Sequence, residues 1–199
     1  MNKDNLSVRF ARLEDAKALL EIYRPFVESE DDNLSDVSFE YVAPSEEEFR
    51  ERIKNISAQF PYLVLEQDGE PIGYAYAHPY IQREAYQWSV EETIYLGPKG
   101  QSRGYGKLIL GVLDKLLVLQ GVTNAYACIA AKNAHSVGLA TSLGYRLVGT
   151  YKDCAFKNGH WLDMVWLEKV LQEHKAKAEL IKSIHDLDKE VVAKILQEL

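Results

Sequence analysis

A short loop rich in glycine and basic residues offers the clearest chemistry in this sequence. It occupies residues 101–107, QSRGYGK, between a predicted strand and a predicted helix. Gly104 and Gly106 lack the Cβ atoms that would keep backbone N–H groups away from a bulky anion. Free N–H groups of a first helical turn bind phosphates, and Arg103 and Lys107 add positive charge. The loop predicts a pyrophosphate site, with plain loop-to-helix punctuation as the alternative.

Two common nucleotide-binding loops do not fit this segment. A dinucleotide loop has Gly-x-Gly-x-x-Gly directly after the first strand of a βαβ unit. Here the glycines follow a predicted hairpin halfway along the chain, and Ile109 occupies the third glycine position. A nucleoside-triphosphate loop needs Gly-Lys-Ser/Thr, which this sequence lacks. The loop therefore predicts another kind of phosphorylated ligand.

Two adjacent glutamates, Glu91 and Glu92, lie in the predicted strand before the loop. Side chains alternate between the faces of a strand, so one carboxylate can face a cleft while the other meets solvent or an arginine. A carboxylate in a cleft can deprotonate an amine directly or through water. An α-amine has a pKa of about 7.7–8.0, so this is a modest task at neutral pH. Two ordinary strand carboxylates are the alternative interpretation.

The remaining pattern predicts the elements that position these residues. Strands are expected at 6–10, 62–67, 71–77, 88–96, 123–130, 147–156 and 161–169, and helices near 13–26, 44–56, 108–119 and 134–143, with a polar loop at 28–36. Asp68-Gly69 and Asn158-Gly159 predict tight hairpins. Gly97-Pro98 after the fourth strand is expected to break the strand pairing and open the sheet. The fold class is α/β, a single mixed, mostly antiparallel sheet flanked by helices.

Composition limits the classes of function. A chain of 199 residues fits one domain with a sizeable core, and a net charge of −7 argues against a nucleic-acid partner. Residues 1–5 lack the apolar core of a signal peptide, and no apolar run would span a membrane, so we expect a soluble, cytoplasmic protein. Cys128 is interpreted as a buried, inert thiol. The histidines at 78, 135 and 160 have no metal spacing and are interpreted as structural or exposed, so no metal is expected.

The last 28 residues differ from the rest in composition. An apolar stripe among charged residues predicts an amphipathic helix; its members are Leu180, Ile184, Leu187, Val191 and Ile195. We therefore predict a main domain at 1–171 and a C-terminal helical extension at 172–199. This helix packs on its own domain, or it docks on a partner subunit or a second protein.

Taken together and in order, these motifs resemble the GCN5-related N-acetyltransferase (GNAT) superfamily, and within it the branch of phosphinothricin and methionine sulfoximine N-acetyltransferases. The resemblance covers about residues 7–170 and begins with Gln-x-x-Gly-x-Gly between a strand and a long helix. The other matching segments are Tyr74-Ala75-Tyr76-Ala77, Arg83-x-x-Tyr86-x-Trp88, Val90-Glu91-Glu92-Thr93-Ile94-Tyr95-Leu96, Asn133-x-x-Ser136-Val137, Leu143-Gly144-Tyr145 and Phe156-Lys157-x-Gly159-x-Trp161-x-Asp163.

The resemblance implies a splayed GNAT sheet, acetyl-CoA as co-substrate, a small amino acid or analogue as acceptor, and a homodimer. It places the catalytic base at Glu91. The cofactor-binding residues that it implies are Ile94, Tyr95, Leu96, Gln101, Ser102, Arg103, Gly104, Tyr105, Gly106, Lys107, Asn133 and Ser136. A plain helix cap is the alternative role for Asn133.

The acceptor site is expected to combine one cation with apolar walls. Arg83 matches the carboxylate of an amino acid because a guanidinium binds carboxylates bidentately. Phe39, Tyr86 and Trp88 are expected to supply the walls. The alternatives are a surface position for Arg83 and core packing for the aromatic residues.

Two positions depart from the family pattern. Many relatives carry a tyrosine or histidine acid four residues before Gly144, where this chain has Ala140, which cannot give a proton. Relatives that detoxify the herbicide have tyrosine where this chain has Leu110. These departures leave two further hypotheses. One is a non-catalytic, acetyl-CoA-binding regulatory module. The other is an acetyltransferase for a polyamine or peptide, with an acidic groove formed by Glu28, Glu30, Asp31 and Asp32.

Overall fold

Seven strands form one sheet in the computed structural model, which describes residues 5–198. The strands are β1 (Leu6–Phe10), β2 (Tyr62–Gln67), β3 (Glu70–Pro79), β4 (Ser89–Leu96), β5 (Asn124–Ala130), β6 (Arg146–Lys157) and β7 (His160–Val170). Their order across the sheet is β1-β2-β3-β4-β5-β7-β6. Only the β4–β5 pair is parallel, and the five other pairs are antiparallel. The predicted mixed, mostly antiparallel α/β sheet is therefore confirmed.

Seven α-helices accompany the sheet within residues 5–198. They are α1 (Ala16–Tyr23), α2 (Pro25–Glu28), α3 (Asp32–Ser35), α4 (Glu46–Ser57), α5 (Tyr105–Gln120), α6 (Ala134–Ser142) and α7 (Lys189–Leu196). The predicted loop at 28–36 contains the single turn α3, because the Asp31 side chain caps it by accepting a hydrogen bond from the Asn33 N–H. None of these helices is long and apolar enough to cross a membrane. Residues 1–4 of the N-terminus analysed for a signal peptide lie outside the described range.

The two predicted hairpins have the expected turn chemistry. Asp68 and Gly69 have φ of 54° and 81°, and Asn158 and Gly159 have φ of 50° and 82°. Positive φ at both central residues is typical of the type I′ turn, which favours Asn-Gly and Asp-Gly because few other residues adopt it without strain. These turns set the β2–β3 and β6–β7 registers.

The sheet opens between β4 and β5. These two strands pair at only three positions, and the last pair joins Glu91 to Tyr126. Beyond it, β4 continues to Leu96 beside β3, while β5 continues to Ala130 beside β7. The opening therefore begins five residues before Gly97-Pro98, so this dipeptide does not cause it as the sequence had suggested. The predicted splayed sheet is confirmed.

The two faces of the sheet bury different side chains. On one face, α5 buries Leu113, Leu116 and Leu117 completely in the main core. On the other face, α1 and α4 cover a smaller core rich in aromatic residues, including Tyr62 and Tyr74. Helices on both faces thus hold β3 and β4 rigidly on one side of the opening.

The C-terminal segment packs on its own domain but is not one helix. Between residues 172 and 198, the helical parts are Ile184–Asp186, which is a 3₁₀ turn, and α7. Ser183 and Asp188 each accept hydrogen bonds from the backbone N–H groups that follow them, so each starts a short segment. The apolar stripe in the sequence gave no indication of these two caps. Leu180 is 76% exposed, whereas the main core includes Ile184, Leu187, Val192 and Ile195.

This packing predicts that the extension contributes to stability. Ile195→Ala should lower the free energy of unfolding by about 2 kcal/mol, because it removes buried methyl groups next to α5. Leu180→Ala is the matched control and should change it by less than about 0.5 kcal/mol. Urea unfolding followed by circular dichroism measures both. Equal effects of the two changes would contradict this packing.

Candidate functional site

A cavity of about 280 Å³ lies in the opening of the sheet. Its walls come from β3, β4, β5, α5, α6 and the segment 37–39 that follows α3. Because it passes through the gap between two diverging strands, it reaches both faces of the sheet. Its lining includes Ser38, Phe39, Tyr76, His78, Glu91, Glu92, Ile94, Tyr95, Leu110, Cys128, Asn133, Ser136, Ala140 and Tyr145.

Glu91 faces this cavity with its side chain only 21% exposed. Burial raises the pKa of its carboxyl group, and the nearby His78 ring opposes that rise. His78 Nε2 lies 3.9 Å from Glu91 Oε2, because the β3–β4 register places the two residues opposite each other. A carboxylate with a raised pKa in a partly dry cavity is a better proton acceptor than one in water.

His78 thus belongs to the site, contrary to its interpretation as a structural or exposed residue. Only the strand register brings it to Glu91, and register is not visible in residue spacing. Tyr76, which shares the same wall, was noted only as part of a motif. Both were overlooked because they lie on a different strand from the glutamate.

The edge of β4 beside the cavity has no strand partner after Glu91 on the β5 side. Ile94, Tyr95 and Leu96 line a second cavity of about 230 Å³ that continues from the first. An unpaired strand edge can bind an extended ligand through backbone hydrogen bonds. The Gln101 side chain donates to the Leu96 carbonyl at 2.8 Å, so it fixes the start of the glycine loop.

The glycine loop leads directly into α5. Gly104 has φ of +81° and precedes the first helical residue, so no side chain caps the helix there. A groove of about 420 Å³ runs along this helix start and α6, and it is lined by Gly100, Ser102, Gly104, Tyr105, Gly106, Lys107, His135 and Gly138. A helix N-terminus without a side-chain cap suits an anionic ligand.

Gly106 has a packing role that the sequence did not reveal. A Cβ atom at this position would lie 2.8 Å from Leu139 Cδ2 of α6. The missing side chain therefore lets α5 and α6 approach each other on one side of the groove. Gly104 differs, because a Cβ there would meet no atom within 4 Å.

Asn133 caps α6 and also lines the cavity. Its side-chain oxygen accepts a hydrogen bond from the Ser136 N–H at 3.1 Å. The helix-cap alternative therefore holds for Asn133, and the cap presents Asn133 and Ser136 to both cavities in the sheet opening. Ala140, one turn further along the helix, also lines the main cavity.

The expected acceptor residues separate into two groups. Phe39 lines the cavity, whereas Arg83 and Tyr86 are exposed on the β3–β4 connection. The Trp88 indole N–H donates to the Glu179 carbonyl at 2.7 Å. This bond fixes Trp88 against the C-terminal segment instead of the cavity wall. The structure therefore does not bring these four residues together in one site.

A buried polar cluster fixes the wall that carries Phe39. Asp36 is fully buried and accepts hydrogen bonds from Lys132, Asn158 and His160. Next to it, buried Lys157 donates to the backbone carbonyl groups of Val27, Ser35 and Ser38. Lys132 and His160 favour the charged form and hold the pKa of Asp36 below its ordinary value, against the opposing effect of burial.

Cys128 lines the cavity but stays protonated. Burial raises its pKa to about 12, so the thiol carries no charge near neutral pH. Glu28, Glu30, Asp31 and Asp32, which were considered for an acidic groove, do not line the cavity. Among residues 5–198 there is also no group of three or more His, Cys, Asp or Glu side chains placed to hold a metal ion.

Comparison with known proteins agrees with this geometry. The model of the acetyltransferase (GNAT) domain matches residues 8–166. A phosphinothricin N-acetyltransferase of Alcaligenes faecalis is 34% identical over 167 residues, which is 83% of this chain and 82% of the relative. A methionine sulfoximine/methionine sulfone acetyltransferase of Salmonella typhimurium is 31% identical over 59% of this chain and 68% of its own.

A solved structure gives the same result. The phosphinothricin acetyltransferase (Pat) of Sinorhizobium meliloti, in complex with acetyl-CoA, superposes with a TM-score of 0.80. It is 32% identical in sequence, and the superposition covers 93% of this chain and 96% of that one.

The contact between His78 and Glu91 predicts a pH effect on acetyl transfer. As the pH falls below the pKa of the amine, log kcat/KM should decrease. It should decrease more steeply below the pH at which Glu91 takes up a proton. His78→Ala removes the positive charge that lowers the Glu91 pKa, so this break in slope should move to higher pH. The measurement is kcat/KM for one amine between pH 5 and 9.

His174→Ala is the control, because His174 lies on the C-terminal segment and bonds Asn124. The amine titrates identically in all three proteins, so a difference reports the enzyme alone. A break at unchanged or lower pH in His78→Ala would contradict the contact.

Proposed function

The chain belongs to the GNAT acetyltransferase family, and we propose that it transfers the acetyl group of acetyl-CoA to the amino group of a small amino acid or amino acid analogue. The observation that carries this proposal is the sheet opening, where an unpaired strand edge and a partly buried glutamate line adjoining cavities, with the groove of the glycine loop next to them. The named relatives acetylate phosphinothricin and methionine sulfoximine, which supports an acceptor of this class.

The residues of the opening fit acetyl-CoA. The cofactor pyrophosphate suits the start of α5, where Gly104 leaves the backbone accessible and Lys107 adds charge. Its extended arm suits the open edge of Ile94–Leu96, which offers backbone groups like those of a neighbouring strand. The thioester end then lies in the main cavity, which Glu91 lines.

We propose Glu91 as the general base. The reaction needs an unprotonated amine, and a carboxylate at the cavity wall can take its proton directly or through a water. Burial supports this role, since it raises the pKa of Glu91 towards that of the amine. Phe39, held by the buried Asp36 cluster, is proposed as an apolar wall for the acceptor.

The acceptor's carboxylate needs a positive partner, and the cavity lining of the described chain contains no lysine or arginine. Arg83 lies on the β3–β4 connection, which leaves the sheet next to the His78–Glu91 pair. We propose that it binds the carboxylate of the acceptor. Among the described residues that line the main cavity, His78 is the one with a side chain that can be a cation.

We also propose that the protein is a homodimer formed through β6 and β7. Strand β6 lies at the edge of the sheet, and large apolar side chains of this hairpin are exposed: Leu147, Val148, Tyr151, Phe156 and Trp161. Trp161 is 61% exposed and contacts Phe156 with a ring-centroid distance of 5.3 Å. An apolar edge strand of this kind favours pairing with a second chain.

Turnover on an amine panel tests the proposed activity. With acetyl-CoA, we expect thiol release for methionine sulfoximine, methionine sulfone, phosphinothricin or a proteinogenic amino acid, and none for spermidine. Glu91→Gln keeps the shape of the side chain but not its basicity, so kcat should fall about 100-fold or more. Binding of acetyl-CoA should be unchanged by calorimetry.

Two results would contradict this proposal. Binding of acetyl-CoA without thiol release for any amine would favour the non-catalytic regulatory module. Turnover of spermidine but of no amino acid would favour the polyamine acetyltransferase.

The dimer has its own test. Trp161→Lys places a charge on the apolar hairpin, so we expect a dimer for the wild type and a monomer for this variant in analytical ultracentrifugation. Lys175→Trp, on the C-terminal segment, is the control and should remain dimeric. A wild-type protein that is monomeric at micromolar concentration would refute the assembly.

A further inference from the structure

A buried network of four titratable side chains lies behind one wall of the main cavity. Glu92 of β4, Asp114 of α5, Tyr145 before β6 and Lys169 of β7 form it, and we call it the Glu92 network. The Tyr145 hydroxyl donates to Glu92 Oε2 at 2.6 Å. Lys169 Nζ donates to Asp114 Oδ2 at 2.5 Å. Glu92 itself is only 7% exposed.

The network leaves one oxygen of each carboxyl group without a hydrogen bond among the described residues. Glu92 Oε1 and Asp114 Oδ1 are buried, and neither has an N–H or O–H donor among the described residues. The two carboxyl groups are close enough that the charge of Asp114 raises the pKa of Glu92. Two buried carboxylates that interact in this way repel each other, and a proton on one of them removes the repulsion and supplies an O–H donor.

Of the two carboxyl groups, Glu92 is the one that favours a bound proton. The ammonium group of Lys169 pairs with Asp114 and stabilises its negative charge, and it affects Glu92 less than burial and Asp114 do. Burial and the charge of Asp114 raise the pKa of Glu92 well above its ordinary value, although Tyr145 and the more distant Lys169 oppose this rise. Glu92 therefore favours its neutral, protonated form more strongly than an ordinary carboxyl group does.

Glu92 lies at the cavity in which the proposed acetyl transfer would take place. Glu92 and Tyr145 both line the main cavity, which Glu91 enters from the opposite face of β4. Ala140 lines the same cavity, and its methyl group cannot give a proton. The two adjacent glutamates thus differ in environment: Glu91 lies beside His78, and Glu92 is buried beside Asp114.

We propose that Glu92 protonates the thiolate that leaves during acetyl transfer, an assignment that rests on the proposed function. The amine nitrogen bonds to the acetyl carbon, and the carbon–sulfur bond breaks with its electron pair going to sulfur. Glu91 takes the proton that the amine loses, and Glu92 gives its proton to sulfur. Exchange with water then restores both groups, so no proton is gained or lost overall.

The other members of the network act through Glu92. The Tyr145 hydroxyl donates to Glu92 and stabilises the carboxylate that forms when the proton leaves. Asp114 keeps Glu92 protonated, and Lys169 balances the charge of Asp114. These three are positioning residues, and the acid function belongs to Glu92 alone.

Glu92→Gln separates an acid from a structural role. The glutamine carbonyl can accept from Tyr145 as the carboxyl oxygen does, so that hydrogen bond is kept, and the amide offers a donor on the side of Asp114. It cannot supply a proton. We expect an unchanged melting temperature, and a single-turnover acetyl transfer rate lower by about 100-fold. Glu70→Gln, at an exposed ion pair with Lys99, is the matched control and should keep the wild-type rate.

A second measurement reads the proton itself. The infrared spectrum of the free wild-type protein at pH 7 should contain the C=O stretch of a protonated carboxylic acid, and Glu92→Gln should lack it. Asp114→Asn should lower the pKa of Glu92 because it removes a negative charge beside it. The falling limb of the single-turnover rate at high pH should therefore move to lower pH.

The outcomes separate the two proposals. If the wild type transfers acetyl and Glu92→Gln transfers it at the same rate, the acid role alone is overturned. An infrared band of a protonated acid that persists in Glu92→Gln would also overturn it. A wild-type protein that transfers acetyl to no amine would overturn the proposed function, and with it the acid role of Glu92.

Discussion

The short pairing of β4 with β5 is the constraint on which the rest of the structure depends. Three residue pairs hold the strands together, and the last of them contains Glu91. Beyond this pair the strands separate because each has a different antiparallel partner. The separation creates the cavity, exposes the edge of β4 and puts the glutamate at the point where the opening begins. Had the pairing continued to Leu96, there would be no cavity and no strand edge for a cofactor.

The electrostatics of the site follow from this geometry. Adjacent strand residues point to opposite faces, yet the opening reaches both faces, so Glu91 and Glu92 line one cavity from two environments. Glu91 is partly exposed and close to His78, whereas Glu92 is buried beside Asp114. Their environments therefore raise the two pKa values to different extents, which is the basis for proposing different chemical roles for two residues of one type.

Much of the fold was predictable because it rests on local signals. The two hairpins depend on Asp68-Gly69 and Asn158-Gly159, and the loop before α5 depends on glycines at fixed positions. The C-terminal segment was less predictable, because an apolar stripe does not show where caps such as Ser183 and Asp188 interrupt a helix. The sheet opens because of pairing between strands that are distant in sequence. Gly97-Pro98 gives no information about that pairing.

The site was predictable only where the chain itself places residues together. Glu91 and the glycine loop lie within one segment, but His78 reaches Glu91 through strand register, and Asp114 and Lys169 reach Glu92 through tertiary packing. Trp88 belongs to the C-terminal packing although its spacing suggested an acceptor wall. Contacts between distant segments depend on the whole fold, so residue types and spacing alone did not reveal them.

Amide hydrogen exchange with and without acetyl-CoA tests the account most directly. If the cofactor pairs with the open edge of β4 and with the start of α5, exchange should slow at amides within residues 93–96 and 104–107. Amides of β6 should exchange at the same rate in both states. Protection elsewhere, with unchanged exchange in these two segments, would contradict the account.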